Sequence, residues 1–171
     1  MRRWPRCGPQ RARIAFLAGA GVEHDAAAAR LRMLAERWSI PVATTLRAKG
    51  VFPEDHELSL GVFGYAGSRH ATNAILNSDL DCLIVLGSGF NERDTMHWTL
   101  RERPTAFMIH VNTDMDELTA NGDLGHVVPG KLSRLPRSHA RPRRRDRAGV
   151  AGKPGAPAPV GCRHQGRATA L

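Results

Sequence analysis

A chain of 171 residues, 42% hydrophobic and 24% charged, has room for one domain, and with aromatics at 5% its core must be aliphatic and alanine-rich. No apolar run approaches the ~20 residues of a membrane span, Arg11 and Arg13 interrupt any secretory leader, and Cys7, Cys82 and Cys162 stand far apart with no CxxC pair. These features argue against membrane insertion, secretion and a disulfide scaffold, and lead us to expect a cytoplasmic location with Cys82 as a buried small hydrophobe.

The net charge of +9 is unevenly placed. Residues 1–13 hold five arginines and no acid, and residues 131–171 hold eleven Lys and Arg against the single Asp146. The stretch between them has nine basic and fifteen acidic residues, so the patterned centre is acidic and the basic character belongs to the ends.

Within that centre the elements follow in order. Ile14-Ala-Phe-Leu-Ala18 is a continuous apolar run ending in Gly19-Ala-Gly21, which predicts a buried parallel strand and a tight turn. Glu23–Trp38 is predicted as one helix, with Leu31, Leu34, Ala35 and Trp38 on one face and Glu23 and Asp25 at its positive end. Pro41 stops it, and Val42-Ala-Thr-Thr45 is the second strand. Gly61–Gly64 reads as a loop or strand edge, and residues 71–76 as a short helix. Asp81–Leu86, closed by Gly87-Ser-Gly89, and Ala106–Val111 are further buried strands. A helix over 115–121 and a short strand at Val127-Val128 complete the series. Strands alternating with helices imply an α/β fold: a three-layer, Rossmann-like, doubly wound parallel sheet with right-handed crossovers.

From Lys131 onward there are five prolines, five glycines and no aromatics in 41 residues. Such a stretch buries too little to offset its ordering entropy, so residues 131–171 are expected to be a disordered Arg/Pro/Gly-rich tail, and residues 1–11 an unstructured basic N-terminus. Arg141-Pro-Arg-Arg-Arg-Asp-Arg147 has the charge to meet phosphate backbones, but no interleaved aromatic and no recognition helix, so no specific nucleic-acid partner is expected. The abrupt change of composition also matches translation of a GC-rich gene in a shifted frame, which resequencing around codon 130 tests.

Sites in doubly wound sheets lie beyond the carboxyl ends of the strands. Gly19-Ala-Gly21 and Gly87-Ser-Gly89 fall there, and each admits two readings: amides approaching a phosphate, or a tight turn that needs small residues. The third glycine of GxGxxG is absent, since His24 takes its place, and no GxxxxGK[ST] occurs. No HExxH or His/Cys cluster points to a metal. Ser68, Ser88 and Ser133 lack a GxSxG setting. His110 reads as a satisfied packing residue, Asp79 and Asp81 as loop groups, and Asn91–Asp94 as a solvated loop.

The order of the motifs is more specific than any one of them. Gly19-Ala-Gly-Val22 is followed by Pro41-Val-Ala-Thr-Thr-Leu46, Lys49-Gly-Val-Phe-Pro-Glu-Asp-His56 and Ser59-Leu-Gly61. Then come Gly64-x-x-Gly67 with Ala71-x-Asn73-x-Ala-Ile75, Asp79-Leu80, Val85-Leu-Gly-Ser88 with Phe90, and Ile109-His-Val111. This series resembles the central domain of thiamine-diphosphate-dependent enzymes, most nearly the acetolactate synthase (acetohydroxyacid synthase) large subunit, over residues 12–130.

The resemblance implies thiamine diphosphate and Mg²⁺ held by domains on either side of this one, one giving a glutamate to the aminopyrimidine and the other a GDG…N motif. No Gly-Asp-Gly occurs and thirteen residues precede Ile14, so the expectation is a central-domain fragment of a 2-oxo acid carboligase or decarboxylase, not catalytic alone. Its expected partners are a family-type homo-oligomer or the missing catalytic domains. In some relatives this domain binds FAD or an adenine nucleotide. Carried over residue by residue, Gly19, Ala20, Gly21, Thr45, Leu46, Gly64, Gly87 and Arg93 match flavin-contacting positions of the acetolactate synthase type. Tyr65-Ala66 replaces a Met-His pair, Gly89 replaces the arginine of a G-A-R-F segment, and Asn112 replaces an acid, while Asp114 still matches a family aspartate. Losing an arginine removes a charge-assisted phosphate contact, so the expectation is an inherited fold without its flavin. The alternative is a small nucleotide-binding module for FAD, ADP or NAD on the same sheet. A sirtuin-like version would follow GAG with serine and a GIPDFR-like run, where this chain has Val22-Glu-His24.

Overall fold

The computed structural model describes residues 12–76, 79–102, 107–121 and 125–134. The expected unstructured N-terminus at 1–11, the run Arg141–Arg147 and the rest of the basic tail lie outside the described residues. The apolar run Ile14–Ala18 forms β1 at the centre of a sheet, as a strand covered on both faces should. Around it lie β2 (Val42–Thr44), β3 (Ser59–Val62), β4 (Cys82–Leu86), β5 (Phe107–Asn112) and β6 (His126–Pro129), in the order β3-β2-β1-β4-β5-β6. Every pairing is parallel, with Phe16 opposite Val42 on one side of β1 and Ile84 on the other.

Alternation along the strands splits the core into two apolar faces. Ala15, Leu17, Leu83, Val85 and Met108 point to one side, where they meet Ala71, Ala74 and Ile75 of α3 (Arg69–Leu76) and Leu100 of α4 (Thr99–Glu102). Phe16, Ala18, Leu86 and Val111 point to the other, against Val22 of α1 (Gly21–His24) and Leu31 and Ala35 of α2 (Ala28–Trp38). The three-layer, doubly wound expectation holds, and its core is aliphatic and rich in alanine. β1 leads outward to β2 and β3, and the chain then returns to β4 on the opposite side of β1. The strand order reverses there, which places the ligand crevice of such sheets beyond β1 and β4.

Several elements differ from expectation for local reasons. The helix expected over 23–38 is two helices. Ala26 adopts φ 51°, the Ala27 amide donates to Val22 O at 2.8 Å and the Ala26 amide to Glu23 O at 2.9 Å. This is a Schellman ending built without glycine, with Ala27 and Val22 sharing one apolar cluster. Asp25 therefore does not sit at a helix start. α2 ends the same way, with Ser39 at φ 51° and the Ile40 amide on Ala35 O. The segment read as a loop or strand edge is the edge strand β3, irregular at Gly61 (φ 82°), where the register to β2 shifts. α4 carries no amphipathic pattern long enough to read. Cys82 is half-buried, its thiol pushed up by burial and then by Asp81.

The fold also continues past Gly130. The Gly130 amide donates to Asn112 O at 2.9 Å, and Leu132–Arg134 forms a 3-10 turn. Leu132 is 1% exposed within the Phe16/Val22/Leu86 face, and its amide donates to Asp25 Oδ2 at 2.7 Å. The first residues of the expected tail are thus packed onto the sheet. No helix among the described residues is long and apolar enough to cross a membrane. A helix over Met115–Ala120 (α5), capped by the Asp114 carboxylate on the amides of Asp116 and Glu117 (2.9 and 3.2 Å), leads toward β6.

Candidate functional site

Two backbones cross at the point where the strand order reverses. The Gly19 amide donates to Leu86 O and the Gly21 amide to Gly87 O, both at 2.8 Å. A Cβ on Gly19 would collide with Gly87 O and lie 2.5 Å from Ser88 Cα; one on Gly21 would lie 2.9 Å from Gly87 Cα. Gly87 itself takes φ 59°. The small residues of the GAG turn are thus required by close packing against Gly87 and Ser88. The Val22 and Glu23 amides are also spent, on Gly19 O and Ala20 O.

Above this crossing lies a cleft of about 210 Å³ lined by the turns after β1, β2, β4 and β5. Its charged lining is Asp25, Asp94, Asp114 and Glu117, against Arg47 and His24. Asp94 is 5% exposed rather than solvated, because the Asn91 carboxamide oxygen accepts from the amides of Arg93 and Asp94 (3.0 and 3.1 Å) and turns the chain inward. Ser88 Oγ donates to Asp94 Oδ2 at 2.8 Å and accepts from the Phe90 amide at 3.1 Å. Burial holds the Asp94 carboxyl above its usual range, opposed by the Ser88 hydrogen bond and then by Arg47.

Behind this pair, His110 Nε2 donates to Ser88 O at 2.8 Å, which fixes the tautomer with the proton on Nε2. Asn112 Nδ2 donates to Glu117 Oε2 at 2.6 Å and to Ser88 O at 3.3 Å. The Glu117 carboxylate lies against Gly89, in the space a side chain there would take. Thr45, wholly buried on the cleft wall, carries the one buried side-chain polar atom among the described residues without a hydrogen-bond partner, its Oγ1.

His110 is 3% exposed and burial lowers its pKa, with the Ser88 carbonyl and Glu117 pulling the other way. The unfolded chain takes up that proton at the ordinary 6.5 and the fold resists it. Stability is therefore full above that pH and falls below it, by about 1.4 kcal/mol for each unit of lowering. Asp94 has the opposite sign: its buried charge destabilises at neutral pH, and protonation relieves this as pH falls toward 3.8. Thermal melts from pH 7.5 to 4 should show a decline that His110→Gln flattens and that Asp94→Asn steepens at the acid end. A His110→Gln profile that overlays the parent would contradict this.

The structure divides the residues singled out from sequence. Ala20, Gly21, Thr45 and Gly87 line the cleft, Gly19 lies beneath it, and Leu46 is 43% exposed beside Arg47. Gly64 and Arg93 lie elsewhere. Gly64, at φ 100°, faces the Arg93 carbonyl, which accepts from the Tyr65 amide at 2.8 Å, and Arg93 lines a separate hollow with Tyr65, Glu92 and His97. Sequence reasoning missed Asp25, Arg47 and Glu117 as lining residues, and nothing in their local pattern marks them.

The lining is a poor match for a diphosphate: it sets four carboxylates against one guanidinium, and the Gly19, Gly21, Val22, Glu23 and Gly87 amides are engaged within the fold. Among the described residues no group of three or more His, Cys, Asp or Glu is placed to hold a metal ion, so Mg²⁺-bound thiamine diphosphate does not fit here either.

Comparison with known proteins places this architecture. The probable acetolactate synthase large subunit of Methanocaldococcus jannaschii is 40% identical over 134 residues, 72% of this chain and 22% of that protein. The acetolactate synthase isozyme 1 large subunit of Escherichia coli is 46% identical over 92 residues, 54% of this chain and 16% of that protein. A crystal structure of a putative thiamin diphosphate-dependent enzyme from Mycobacterium smegmatis superposes with a TM-score of 0.53 at 20% identity, covering 70% of this chain and 22% of that one. The chain spans about a fifth of the length of the curated relatives it matches. Residues 10–130 match the family model described as thiamine pyrophosphate enzyme, central domain, and the chain belongs to that family.

Proposed function

We propose that residues 12–130 serve as the central layer of an acetolactate synthase-like carboligase or decarboxylase acting on 2-oxo acids, a transferase whose chemistry resides in other domains. The observation that carries this reading is the family match over 10–130 together with a sheet whose switch-point turns are closed by glycine packing. In the whole protein thiamine diphosphate and Mg²⁺ belong to those other domains. The partners are those domains or a homo-oligomer of the family type, in the cytoplasm.

Flavin is the finer question. Ala20, Gly21, Thr45 and Gly87 face the cleft where a flavin nucleotide would lie, but the four carboxylates oppose its diphosphate, and the same opposition weighs against a free-standing module for FAD, ADP or NAD. The purified chain should therefore show no flavin absorbance near 450 nm. Incubated with pyruvate, thiamine diphosphate and Mg²⁺, it should form no acetolactate. Turnover by the chain alone would overturn the assignment of the chemistry to other domains.

A further inference from the structure

We propose that residues 1–11 close a half-open face of the sheet, with Trp4 as the anchor. A parallel sheet is stable when both its faces are covered. Here α3 and α4 cover one face, and a right-handed crossover from β5 to β6 puts α5 on that same side. The other face carries α1 and α2 over β1 and β2, and Leu132 near the carboxyl ends of the strands. Below Leu132, the β4–β5 part of that face is left partly open. The register sets Cys82 beside Phe107, and Ile84 beside Ile109, which in turn meets His126 of the edge strand. Phe107 is 61% exposed, and Cys82, Ile84 and Ile109 are only partly buried. Their neighbours pointing the opposite way, Leu83, Val85 and Met108, are at most 3% exposed, so the opening belongs to one face alone.

The size of the patch and the place where the chain enters the sheet select the occupant. A stable contact with a second copy takes about 800 Å² and about 20–30 residues a side, far more than these few side chains offer. The patch suits one short segment held nearby by its own chain. Residues 1–11 join the sheet at Ala12, and Ile14 stands in the same row as Cys82 and Phe107, with Phe107 two strand spacings or about 10 Å away. Gly8-Pro9 is a turn signal, and the seven residues before it reach about 23 Å when extended, ample to lie back across β4 and β5. Trp4 is the one aromatic in that segment, and residues 131–171 have none. Arg3 and Arg6 flank it, and Asp79 and Asp81 precede β4, where Arg13 pairs with Asp79 at 3.0 Å. The basic segment has no core of its own, so any order it takes comes from the surface it covers. This inference does not depend on the proposed role in a carboligase.

Acrylamide quenching tests this on the full chain carrying Trp38→Phe and Trp98→Phe, which leave Trp4 as the sole tryptophan. Quenching severalfold slower than that of N-acetyltryptophanamide, and independent of protein concentration, is expected. Phe107→Asp should abolish the protection, and Met115→Ser, at an exposed position on α5, should leave it in place. Phe107 is itself exposed, so its replacement leaves the sheet intact. Should the double tryptophan variant fail to fold, trypsin gives the same reading with all three tryptophans kept. Phe107→Asp should then speed cleavage after Arg6 severalfold and leave cleavage after Arg144 unchanged. Quenching as fast as that of the free amide, or protection that survives Phe107→Asp, would overturn the inference. So would cleavage after Arg6 indifferent to Phe107→Asp, or protection that grows with protein concentration, which would make a second copy the occupant.

Discussion

Gly19→Ala is expected to destabilise the fold by about 3 kcal/mol or more, enough to leave a large fraction of a marginally stable domain unfolded. The new methyl group would meet only backbone: Gly87 O, Ser88 Cα at 2.5 Å and Gly87 C at 2.7 Å. A flexible side chain can swing aside, but a hydrogen-bonded turn cannot move without breaking the Gly19–Leu86 and Gly21–Gly87 bonds that join the two halves of the sheet. Two other glycines serve as controls. Gly130 has open space around it, so Gly130→Ala should stay within about 0.5 kcal/mol. Gly50 also has open space but sits at φ 91°, so Gly50→Ala should cost about 1 kcal/mol from backbone strain alone. Urea titrations of the three variants check this ordering. A Gly19→Ala protein as stable as Gly130→Ala would show that the two turns are not in contact.

Leu132→Ala should cost about 2–4 kcal/mol, the usual range for emptying a buried leucine site. The side chain packs on the Phe16/Val22/Leu86 face, and its Cδ1 lies 2.8 Å from where a Gly87 Cβ would be. The effect is diagnostic because the residue stands in a stretch whose composition reads as unable to fold. Were the tail to begin at Lys131, replacing Leu132 would leave the melting midpoint unchanged. The Asp25 carboxylate anchors the same turn, so Asp25→Leu should lose a smaller part of that stability, about 1–2 kcal/mol, through an unpaired Leu132 amide.

β1, β4 and β5 were legible because a central parallel strand needs apolar residues on both faces, and Ile14–Ala18, Cys82–Leu86 and Met108–Val111 supply them between glycine and polar boundaries. The motif order extended that reading to the whole sheet and its family. The break at Ala26 was not legible: a left-handed residue usually announces itself as glycine, and here an alanine accepts the strain because Ala27 and Val22 bury together behind it. Leu132 was hidden for the opposite reason. Its burial is supplied entirely by distant partners, Phe16 and Gly87, and its neighbours are basic or small.

The candidate site was half legible. Glycine-rich turns at strand ends mark a switch point, and Ala20, Gly21, Thr45 and Gly87 do line the cleft there. Their chemistry depends on side chains brought in from elsewhere. Asp94 reaches Ser88 only through the turn at Asn91, and Glu117 reaches Gly89 only because α5 packs beside β5. The Gly19 and Gly21 amides are spent on Leu86 and Gly87, partners that no local sequence pattern names.

On this reading residues 12–134 supply a working central domain rather than a catalyst. The decisive experiment grafts residues 12–134 into the E. coli acetolactate synthase isozyme 1 large subunit in place of the matching segment. A folded chimera that forms acetolactate from pyruvate with added thiamine diphosphate and Mg²⁺ is expected. A chimera that folds and binds thiamine diphosphate yet forms none would contradict it.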